Sequence, residues 1–488
     1  MVTRRIHSAL RNGAPLLAVA LLGGCGIPNL GRRPQPLTAA SVPAQQSLPA
    51  SPGTAWPGDG WWRGYGDPQL DRLIAEALAN SPDVAAAAAR LRRARATAEE
   101  VGAARLPSID AQGQATLDKQ SYNNGFPKEF LPKGWQDRGQ IAASLAYDLD
   151  LWGKNRAALA AATSEARAAA IEAEQARLVL SVAIASAYAD LARVFADRDV
   201  RQATLDNRLA NRRLVGIRVT NGLDNRGSER AAEAEVAAAR SDLAAADEAI
   251  GLRRHQLAAL AGAGPDRGIG IARPALPVPG PRPLPTDVTT DLIGRRPDIA
   301  AARERVEAAA SRIKVARADF FPAIRLNALI GFQALGLGNL LSADSTYGSI
   351  GPAISLPIFH GGAVQGRYRS ARAGYDEAVA TYNKAVLDAY QQAADAVTSD
   401  RSIAQRIANV RTGLAAAEEA YALAHRRYQA GLSTFLDVLA VENRVLGARL
   451  ALAELEAAAR SNDIALIRAL GGGFVAPAIS ASRDNPHG

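Results

Sequence analysis

The chain has 488 residues, a formal net charge of +9 and 48% hydrophobic residues, although only 5% of its residues are aromatic. Alanine supplies much of the apolar total, and it favours long, close helix–helix seams over a large core because each alanine buries little surface. The arginines are interleaved with Asp and Glu along predicted helices, without a basic patch that carries stacked aromatics, so nucleic acid is excluded as a partner. The single cysteine, Cys25, excludes an internal disulfide.

The first 24 residues are predicted to be a lipoprotein signal peptide. A basic segment precedes a short apolar stretch, Ala14 to Leu22, which is too short to span a bilayer as a stable helix. The stretch ends in Leu22-Gly23-Gly24-Cys25, which resembles a bacterial lipobox, the motif in which the cysteine becomes the lipidated first residue. By analogy with other bacterial lipoproteins, Gly26 favours the outer membrane. The alternative is an ordinary secretory peptide with a chance cysteine.

Residues 25–80 are predicted to hold the lipid anchor, a Pro-rich leader and one short helix that begins at Asp67-Pro68. The next helix begins at Ser81-Pro82-Asp83, where Ser caps the helix, Pro fits the first turn and Asp complements the helix dipole. It ends before Pro107. This helix opens a first repeat, which we place at residues 81–262.

Two segments that follow this helix alternate between apolar and polar residues, which predicts two β-strands paired as a hairpin. The residues of their apolar faces are Ile109, Ala111, Gly113, Ala115 and Leu117 in the first strand, and Ile141, Ala143, Leu145, Tyr147, Leu149 and Leu151 in the second. The opposite faces carry Asp, Gln, Ser and Thr.

A run of about 65 residues without proline, Gly153 to Thr220, predicts a helix roughly 100 Å long. Such a helix is far longer than a globular domain needs. The chain turns at Asn221-Gly222-Leu223-Asp224, and a return helix runs to Leu260. Heptad spacing predicts the apolar seam of the return helix, which consists of Val236, Leu243, Ile250 and Leu257.

The same order of elements recurs after a Pro-rich linker, which we place at residues 263–296. In the second repeat, residues 297–473, Pro297-Asp298-Ile299 corresponds to Pro82-Asp83-Val84. A short irregular tail, residues 474–488, follows.

The second repeat also contains two alternating segments and a long helix. The apolar faces of its strands are predicted to hold Ile324, Leu326, Ala328, Ile330 and Phe332, then Ile350, Ile354, Leu356 and Ile358. Prolines at 352 and 357 interrupt the last of these strands. The helix runs from Gly361 to Ala430, the chain turns at Gly431-Leu432, and a return helix ends at Gly471.

Strands of roughly 9–12 residues with one charge-free face match tilted strands that cross a bilayer as a barrel. A soluble sheet with one solvated face alternates in the same way. Four strands cannot close a membrane barrel, because open edges in lipid leave backbone groups unpaired. Two copies would give eight strands, and three would give twelve with room for a lumen. No segment beyond the signal peptide approaches 18 continuous apolar residues, so no transmembrane helix is expected.

Several motifs spread over the chain resemble the TolC-like outer-membrane factor family, in the OprM/NodT branch of efflux lipoproteins. The motifs are the lipobox, Trp62, Asp67-Pro68-x-Leu70-x-x-Leu73, Arg295-Arg296-Pro297-Asp298, Phe320-Phe321-Pro322, Gly351-Pro352-x-x-Ser355-x-Pro357-Ile358-Phe359-x-Gly361-Gly362 and Arg427-Tyr428-x-x-Gly431. The resemblance covers nearly the whole mature chain.

The resemblance implies an α+β membrane protein of the outer membrane, lipid-anchored and projecting into the periplasm. It implies a homotrimer, in which four strands per chain form a 12-stranded β-barrel continued by a periplasmic α-helical barrel. Residues 25–80 then include an equatorial segment. Such a trimer is the exit duct for an inner-membrane pump of the resistance–nodulation–division type, joined through a periplasmic adaptor. The expected partners are therefore the adaptor, the pump and outer-membrane lipid.

The resemblance also implies that the two helix turns form a periplasmic gate. Tyr428, Gly431 and Asp437 match gate-region positions, and Gly222 and Asp224 occupy the turn of the first repeat. A three-fold ring of Asp437 carboxylates would repel one another and favour cations. The alternative is that Asp437 only complements the dipole at the start of its helix. The chain departs from some members of the family at three positions near the turns, which hold Ser228, Ser433 and Ala440.

Enzyme chemistry is not indicated, because the five histidines show no metal-ligand spacing and no nucleophile or phosphate-loop motif occurs. We therefore predict no enzymatic activity, no metal and no cofactor. The second hypothesis is a lipid-anchored periplasmic coiled-coil adaptor or scaffold. It would explain the lipobox and the long helices, but not four amphipathic strands at matching places in both repeats.

Overall fold

The computed structural model describes residues 27–51, 53–123 and 125–475. The predicted signal peptide and lipidation site, Cys25, lie outside the described residues. The described residues form nine α-helices and four β-strands. In chain order they are α1 (Pro68–Asn80), α2 (Pro82–Ala103), β1 (Ser108–Asp118), β2 (Gln136–Asp148), α3 (Lys154–Thr220), α4 (Arg226–Leu260), α5 (Asp266–Ile269), α6 (Val288–Arg295), α7 (Pro297–Ala318), β3 (Ala323–Leu335), β4 (Thr346–Ser355), α8 (Ala363–Gln429) and α9 (Phe435–Ala469).

The chain divides into two compact units. One unit contains Leu91–Ala168, Ala302–Thr381 and the leader as far as Pro36, and it therefore holds the four strands. The other contains Leu37–Arg90, Ala169–Ala301 and the residues from Tyr382 onwards, and it holds both turns between the long helices and their return helices.

The four strands form one antiparallel sheet in the order β1-β2-β3-β4. The register places Ile109 opposite Leu145, Leu145 opposite Ala328 and Ala328 opposite Ile350, so one apolar row crosses all four strands. Three residues of this face, Ile109, Ile330 and Ile350, are more than 70% exposed in the chain. An exposed apolar sheet face of this size marks contact with another apolar phase.

The opposite face of the sheet is polar. Asp148 lies opposite Arg325, whose Nε donates to the carboxylate at 2.6 Å. Ala146 lies opposite Asn327, and Gln140 opposite Gln333. The predicted alternation of apolar and polar residues is therefore present where β2 of the first hairpin pairs with β3 of the second.

Two strand ends differ from the prediction. β4 ends at Ser355, so Leu356 and Ile358 lie beyond it, because Pro357 has no N–H with which to continue the ladder. Pro352 itself lies within β4, opposite Leu326. β4 pairs only with β3 among the described strands, and an edge strand tolerates proline. β2 ends at Asp148, which leaves Leu149 and Leu151 beyond its end.

The long helices have nearly the predicted limits, and their return helices bury the predicted seam. Val236, Ile250 and Leu257 are buried, and Leu243 packs beside Val236 and Leu205. The largest core cluster among the described residues gathers side chains of α1, α3 and α4 and includes Tyr188, which is fully buried. The Tyr188 hydroxyl donates to Asp67 Oδ2 at 2.7 Å, and it accepts a bond of 2.6 Å from Gln69.

The segment predicted as a Pro-rich linker contains structure that the prediction missed. α6 lies inside it and buries Val288 and Leu292 completely. Before α6 in the linker, Arg282 donates to Asp463 from Nε at 2.5 Å and from Nη2 at 3.0 Å. Asp463 also accepts a bond of 2.6 Å from Tyr65, so one buried carboxylate holds both the linker and the leader against α9.

The Arg-Arg-Pro-Asp motif joins the start of α7 to the end of α9. Arg296 is buried and donates to Asp298 at 3.0 and 2.6 Å. Its Nη1 donates to the carbonyl of Ala469 at 3.1 Å and to Gln392 at 3.0 Å. The motif therefore satisfies a helix-terminal carbonyl that has no partner within its own helix.

Among the described residues, one helix, α3, contains a stretch long and apolar enough to cross a membrane by length and composition, with a mean hydropathy of 1.6. The sequence alone predicts no transmembrane helix in this part of the chain. Half of that stretch is buried inside the chain, and a buried core helix has the same composition.

Candidate functional site

Both long helices end in the same turn. Gly222 and Gly431 have φ angles of 73° and 76°, in the left-handed region that glycine adopts without strain. Leu223 N–H donates to the carbonyl of Arg218 at 2.8 Å, and Leu432 N–H donates to that of Arg427 at 2.8 Å. These bonds define a Schellman motif in each repeat, and they explain why both turns need glycine at the same place.

The return helices begin with side-chain caps. The Asn225 side chain accepts from Ser228 N–H at 3.0 Å at the start of α4. At the start of α9, Thr434 and Asp437 form a capping box. Asp437 Oδ2 accepts from Thr434 N–H at 2.9 Å and from its hydroxyl at 2.8 Å. The backbone and hydroxyl bonds from Thr434 hold the pKa of Asp437 below its ordinary value.

One hydrogen bond joins the two turns. The Tyr428 hydroxyl, at the end of α8, donates to Asp224 Oδ2 at 2.7 Å, across the turn between α3 and α4. Tyr428 is 2% exposed. Arg218 lies over its ring, with the guanidinium carbon 4.6 Å from the ring centroid. Arg218 also donates to the carbonyls of Gln429 and Leu223 at 3.4 and 3.3 Å, so it binds both turns. We call Arg218, Asp224 and Tyr428 the tip latch.

The latch perturbs the protonation of both bonded groups. Burial alone would raise the pKa of Asp224, but hydrogen bonds from Tyr428, Ser228 and the Asn225 N–H, with the charge of Arg218, outweigh it and lower that pKa. Burial and the bond to Asp224 raise the pKa of Tyr428. At neutral pH the latch is therefore a neutral phenol donating to a carboxylate, which is a charge-assisted bond.

Apolar side chains pack beneath the latch. They form a cluster that draws on all four helices at the turns, and its buried members are Val215, Ala232, Tyr428, Phe435, Val438 and Leu439. The rings of Tyr428 and Phe435 lie 5.9 Å apart. The cluster holds the two helix hairpins of the chain side by side at the turns.

A second polar layer lies further from the turns. Arg208 is buried and pairs with Glu235 at 2.6 Å, and it donates to Asn443 Oδ1 at 3.1 Å. Asn211 donates to Glu442 Oε2 at 3.4 Å, whereas Glu442 Oε1 is buried without a hydrogen bond among the described residues. Burial raises the pKa of Glu442 in spite of the nearby charge of Arg208.

The structure unites only part of the predicted site. It brings Tyr428 and Asp224 into contact and places Gly222 and Gly431 in the turns that present them. Asp437 is exposed, and its carboxylate is bound by its own helix cap. The sequence reading missed Arg218, Phe435 and the Arg208–Glu442 layer. The sequence contains one signal for this layer: Arg208 and Asn211 are three residues apart, which places both side chains on the same face of α3.

Comparison with known proteins gives consistent matches. The profile of the family described as "Outer membrane efflux protein" matches residues 73–263 and 288–472. The chain is 37% identical to the fusaric acid resistance protein FusA of Burkholderia cepacia over 374 residues, which are 74% of this chain and 69% of that protein. It is 29% identical to the pyoverdine export outer membrane protein OpmQ of Pseudomonas aeruginosa, over 96% of this chain and 98% of that protein.

Solved structures match over most of the chain. The outer membrane protein VceC of Vibrio cholerae is 43% identical, with a TM-score of 0.81 and coverage of 86% of this chain and 100% of that one. The outer-membrane channel OprN is 28% identical, also with a TM-score of 0.81, and covers 92% of this chain and 99% of its own.

Proposed function

The chain belongs to the outer membrane efflux protein family, and from that membership we propose that it is the passive exit channel of a tripartite efflux system driven by an inner-membrane pump of the resistance–nodulation–division type. Its relatives are outer-membrane efflux channels, which are conduits rather than enzymes. Its four strands and paired long helices are those of the trimeric TolC-like channels.

The sheet supports passive conduction. In a twelve-stranded barrel built from three copies, the apolar row through Ile109 and Ile350 faces lipid. The polar face, with the Asp148–Arg325 pair, then lines the lumen. Charged and amide groups on that wall let water fill the pore, so solutes cross without chemistry at the channel. The exported compound is then selected by the pump.

The tip latch is the observation that supports a gate at the two turns. Tyr428 and Asp224 lie 204 residues apart in sequence, and their bond ties the two hairpins of one chain together at their free ends. In a trimer, three such latches hold the tips in one arrangement. The gate opens when the hairpins separate there. Asp437, exposed beside the latch, contributes one carboxylate per chain to a ring that attracts cations.

The tips also carry the surface for the adaptor. Leu223 and Leu432 occupy the same position in the two turns and are 65% and 70% exposed, and Leu436 is exposed beside them. Water-exposed leucines repeated at the free ends of helical hairpins favour contact with an apolar partner surface. We place the periplasmic adaptor on these leucines.

Site-specific photo-crosslinking tests the adaptor contact. A photoreactive residue is introduced at Leu223 or Leu432 in cells that co-express an adaptor of the membrane fusion class. The matched control is Leu252 on α4, which is 59% exposed. We expect adaptor adducts at both turn positions and not at the control. Equal adduct yields at all three positions would contradict the assignment.

Planar bilayers separate the channel from the second hypothesis, an adaptor or scaffold. The purified full-length protein is expected to give stepwise currents that are linear in voltage without an energy source. An adaptor or scaffold gives no such steps. Absence of conductance from both the native protein and a latch variant would exclude the channel.

A further inference from the structure

The strand-to-helix junction contains a groove that the conduction pathway does not use. The first turns of α3 and the last turns of α7 enclose a cavity of about 640 Å³. Its walls include three basic residues, Arg156, Lys314 and Arg317, and two aromatic residues, Trp152 and Phe321. We call it the α3–α7 groove.

Two of the basic residues in the groove are not neutralised. Lys314 and Arg317 are exposed and lie one helical turn apart, and within the described part of the chain neither pairs with a carboxylate. Arg156 is held by Asp150, with its Nε 3.3 Å from Oδ2. Arg312, nearby on α7, pairs instead with Glu165 at 2.8 Å. Free positive charge is thus concentrated at the groove end of α7.

The aromatic residues form a rigid floor. Trp152 stacks on Phe321, with ring centroids 4.7 Å apart and planes inclined by 22°. The indole N–H donates to the carbonyl of Pro322 at 2.7 Å, which fixes the ring although half of it is exposed. Aromatic rings at the ends of membrane strands lie at the level of the lipid headgroups.

Arg156 of the groove lies away from the polar face of the sheet. The polar sheet face, with Asp148 and Arg325, continues into an adjoining cavity that also includes Lys154 and Asp319. At 100° per residue, Lys154 lies about 160° around α3 from the groove residue Arg156. Arg156 therefore points away from that cavity, and Trp152 and Phe321 form part of the wall that the two cavities share.

The groove also lies within one chain. Asn155 of α3 donates to the carbonyl of Ala104, just after α2, at 3.1 Å. Asp319, just after α7, pairs with Arg367 of α8 at 3.1 Å. The order at this level is thus α2, α3, α7 and α8, and the groove lies between the two inner helices, away from the flanks where another copy joins.

We propose that the α3–α7 groove binds the phosphate of an anionic phospholipid headgroup in the periplasmic leaflet of the outer membrane. Lys314 and Arg317 contact the phosphate oxygens through charge-assisted bonds. The Trp152–Phe321 pair lies against the glycerol and the upper acyl chain. The site depends on the proposed membrane position of the sheet and not on the tip latch. The lipid-binding proposal can therefore be refuted without refuting the gate, and the gate without refuting lipid binding.

Native mass spectrometry of the detergent-purified full-length trimer tests the site. Phosphatidylglycerol is titrated against native protein and against a Lys314→Ala/Arg317→Ala variant, with phosphatidylcholine of the same acyl chains as the reference lipid. We expect a roughly 30-fold loss of apparent phosphatidylglycerol affinity in the variant, from the usual contribution of two basic residues. Arg401→Ala/Arg406→Ala removes two exposed cations of α8 that pair with no carboxylate among the described residues; it is the charge-matched control and should retain the affinity.

A charge-conserving variant, Lys314→Arg/Arg317→Lys, is expected to bind like the native protein. Equal loss in the α8 control would overturn the proposal, because the effect would then belong to net charge. Equal affinity of the native protein for the two lipids would overturn it as well. Displacement of the lipid by glycerol 3-phosphate at the same concentration would assign the groove to a soluble anion instead of a lipid.

Discussion

Removal of the Tyr428 hydroxyl should open the channel without unfolding it. The bond from Tyr428 to Asp224 is 2.7 Å long and is made to a carboxylate. Hydrogen bonds to charged groups contribute about 1.5–3 kcal/mol. Because 1.4 kcal/mol is a factor of ten, Tyr428→Phe should shift the closed-to-open equilibrium of each latch by roughly 10- to 150-fold.

Single-channel recording in planar bilayers measures this shift as open probability. The matched control is Tyr390→Phe, because the Tyr390 hydroxyl donates an equally short bond of 2.6 Å to the carbonyl of Thr289, away from the tips. Loss of that bond should leave the open probability unchanged. A double-mutant cycle with Asp224→Asn tests the pairing. If one bond joins the residues, the double variant opens no more than the more open single variant.

The pH dependence gives an independent check on the latch. The pKa of Asp224 is lowered in the folded protein, so its contribution is complete above the ordinary carboxyl pKa and is lost as pH falls through the lower, folded value. The native channel should therefore open on acidification, and Tyr428→Phe should move that transition to higher pH. Additive effects in the cycle, or equal opening by Tyr390→Phe, would refute the latch.

Three further predictions concern single carboxylates. Asp437→Ala should weaken block of the pore by multivalent cations. Asp437→Asn keeps an acceptor for the Thr434 N–H and should weaken the block equally. Unchanged block in Asp437→Asn would mean that Asp437 serves only as a helix cap. Burial raises the pKa of Glu442, so the ionised carboxylate destabilises the folded protein increasingly as pH rises through the carboxyl range. Glu442→Gln should therefore raise Tm more at pH 7 than at pH 4. An equal change in Tm at both pH values would contradict the burial argument. Asp463→Asn should destabilise the protein by roughly 3 kcal/mol and speed proteolysis of the linker around Arg282, and an unchanged cleavage rate would contradict the anchoring role.

Local sequence signals predicted most of the helices and strands. The ends of α3 and α8 were predicted from the glycines of the turns that follow them. The start of α1 was predicted from the Asp67-Pro68 cap, where Asp67 accepts from Gln69 N–H at 2.8 Å. The paired faces of the sheet follow from strict alternation. α6 was missed because its eight residues stand among prolines and show too few turns for helical periodicity to register.

The candidate site was less predictable because its contacts are distant in sequence. An Ala-rich helix shows which face is apolar, but it does not show which polar side chain meets which. The partners Asp224 and Tyr428 were both singled out, yet their bond required the two hairpins to be placed together. Glu442 has the same local setting as many solvated glutamates, and only its burial distinguishes it.

The two repeats contribute unequally to the tip, and this has a consequence for symmetry. When the repeats are aligned on their turn glycines, Ser433 is the counterpart of Asp224, and Val219 is the counterpart of Tyr428. Ser433 Oγ is buried without a hydrogen bond among the described residues. One tyrosine–carboxylate bond therefore joins the two helix hairpins of each chain. A trimer has six such hairpins and three such bonds. In the proposed gate each chain holds its two hairpins by one bond, so full opening of three copies breaks three equivalent bonds, one inside each copy.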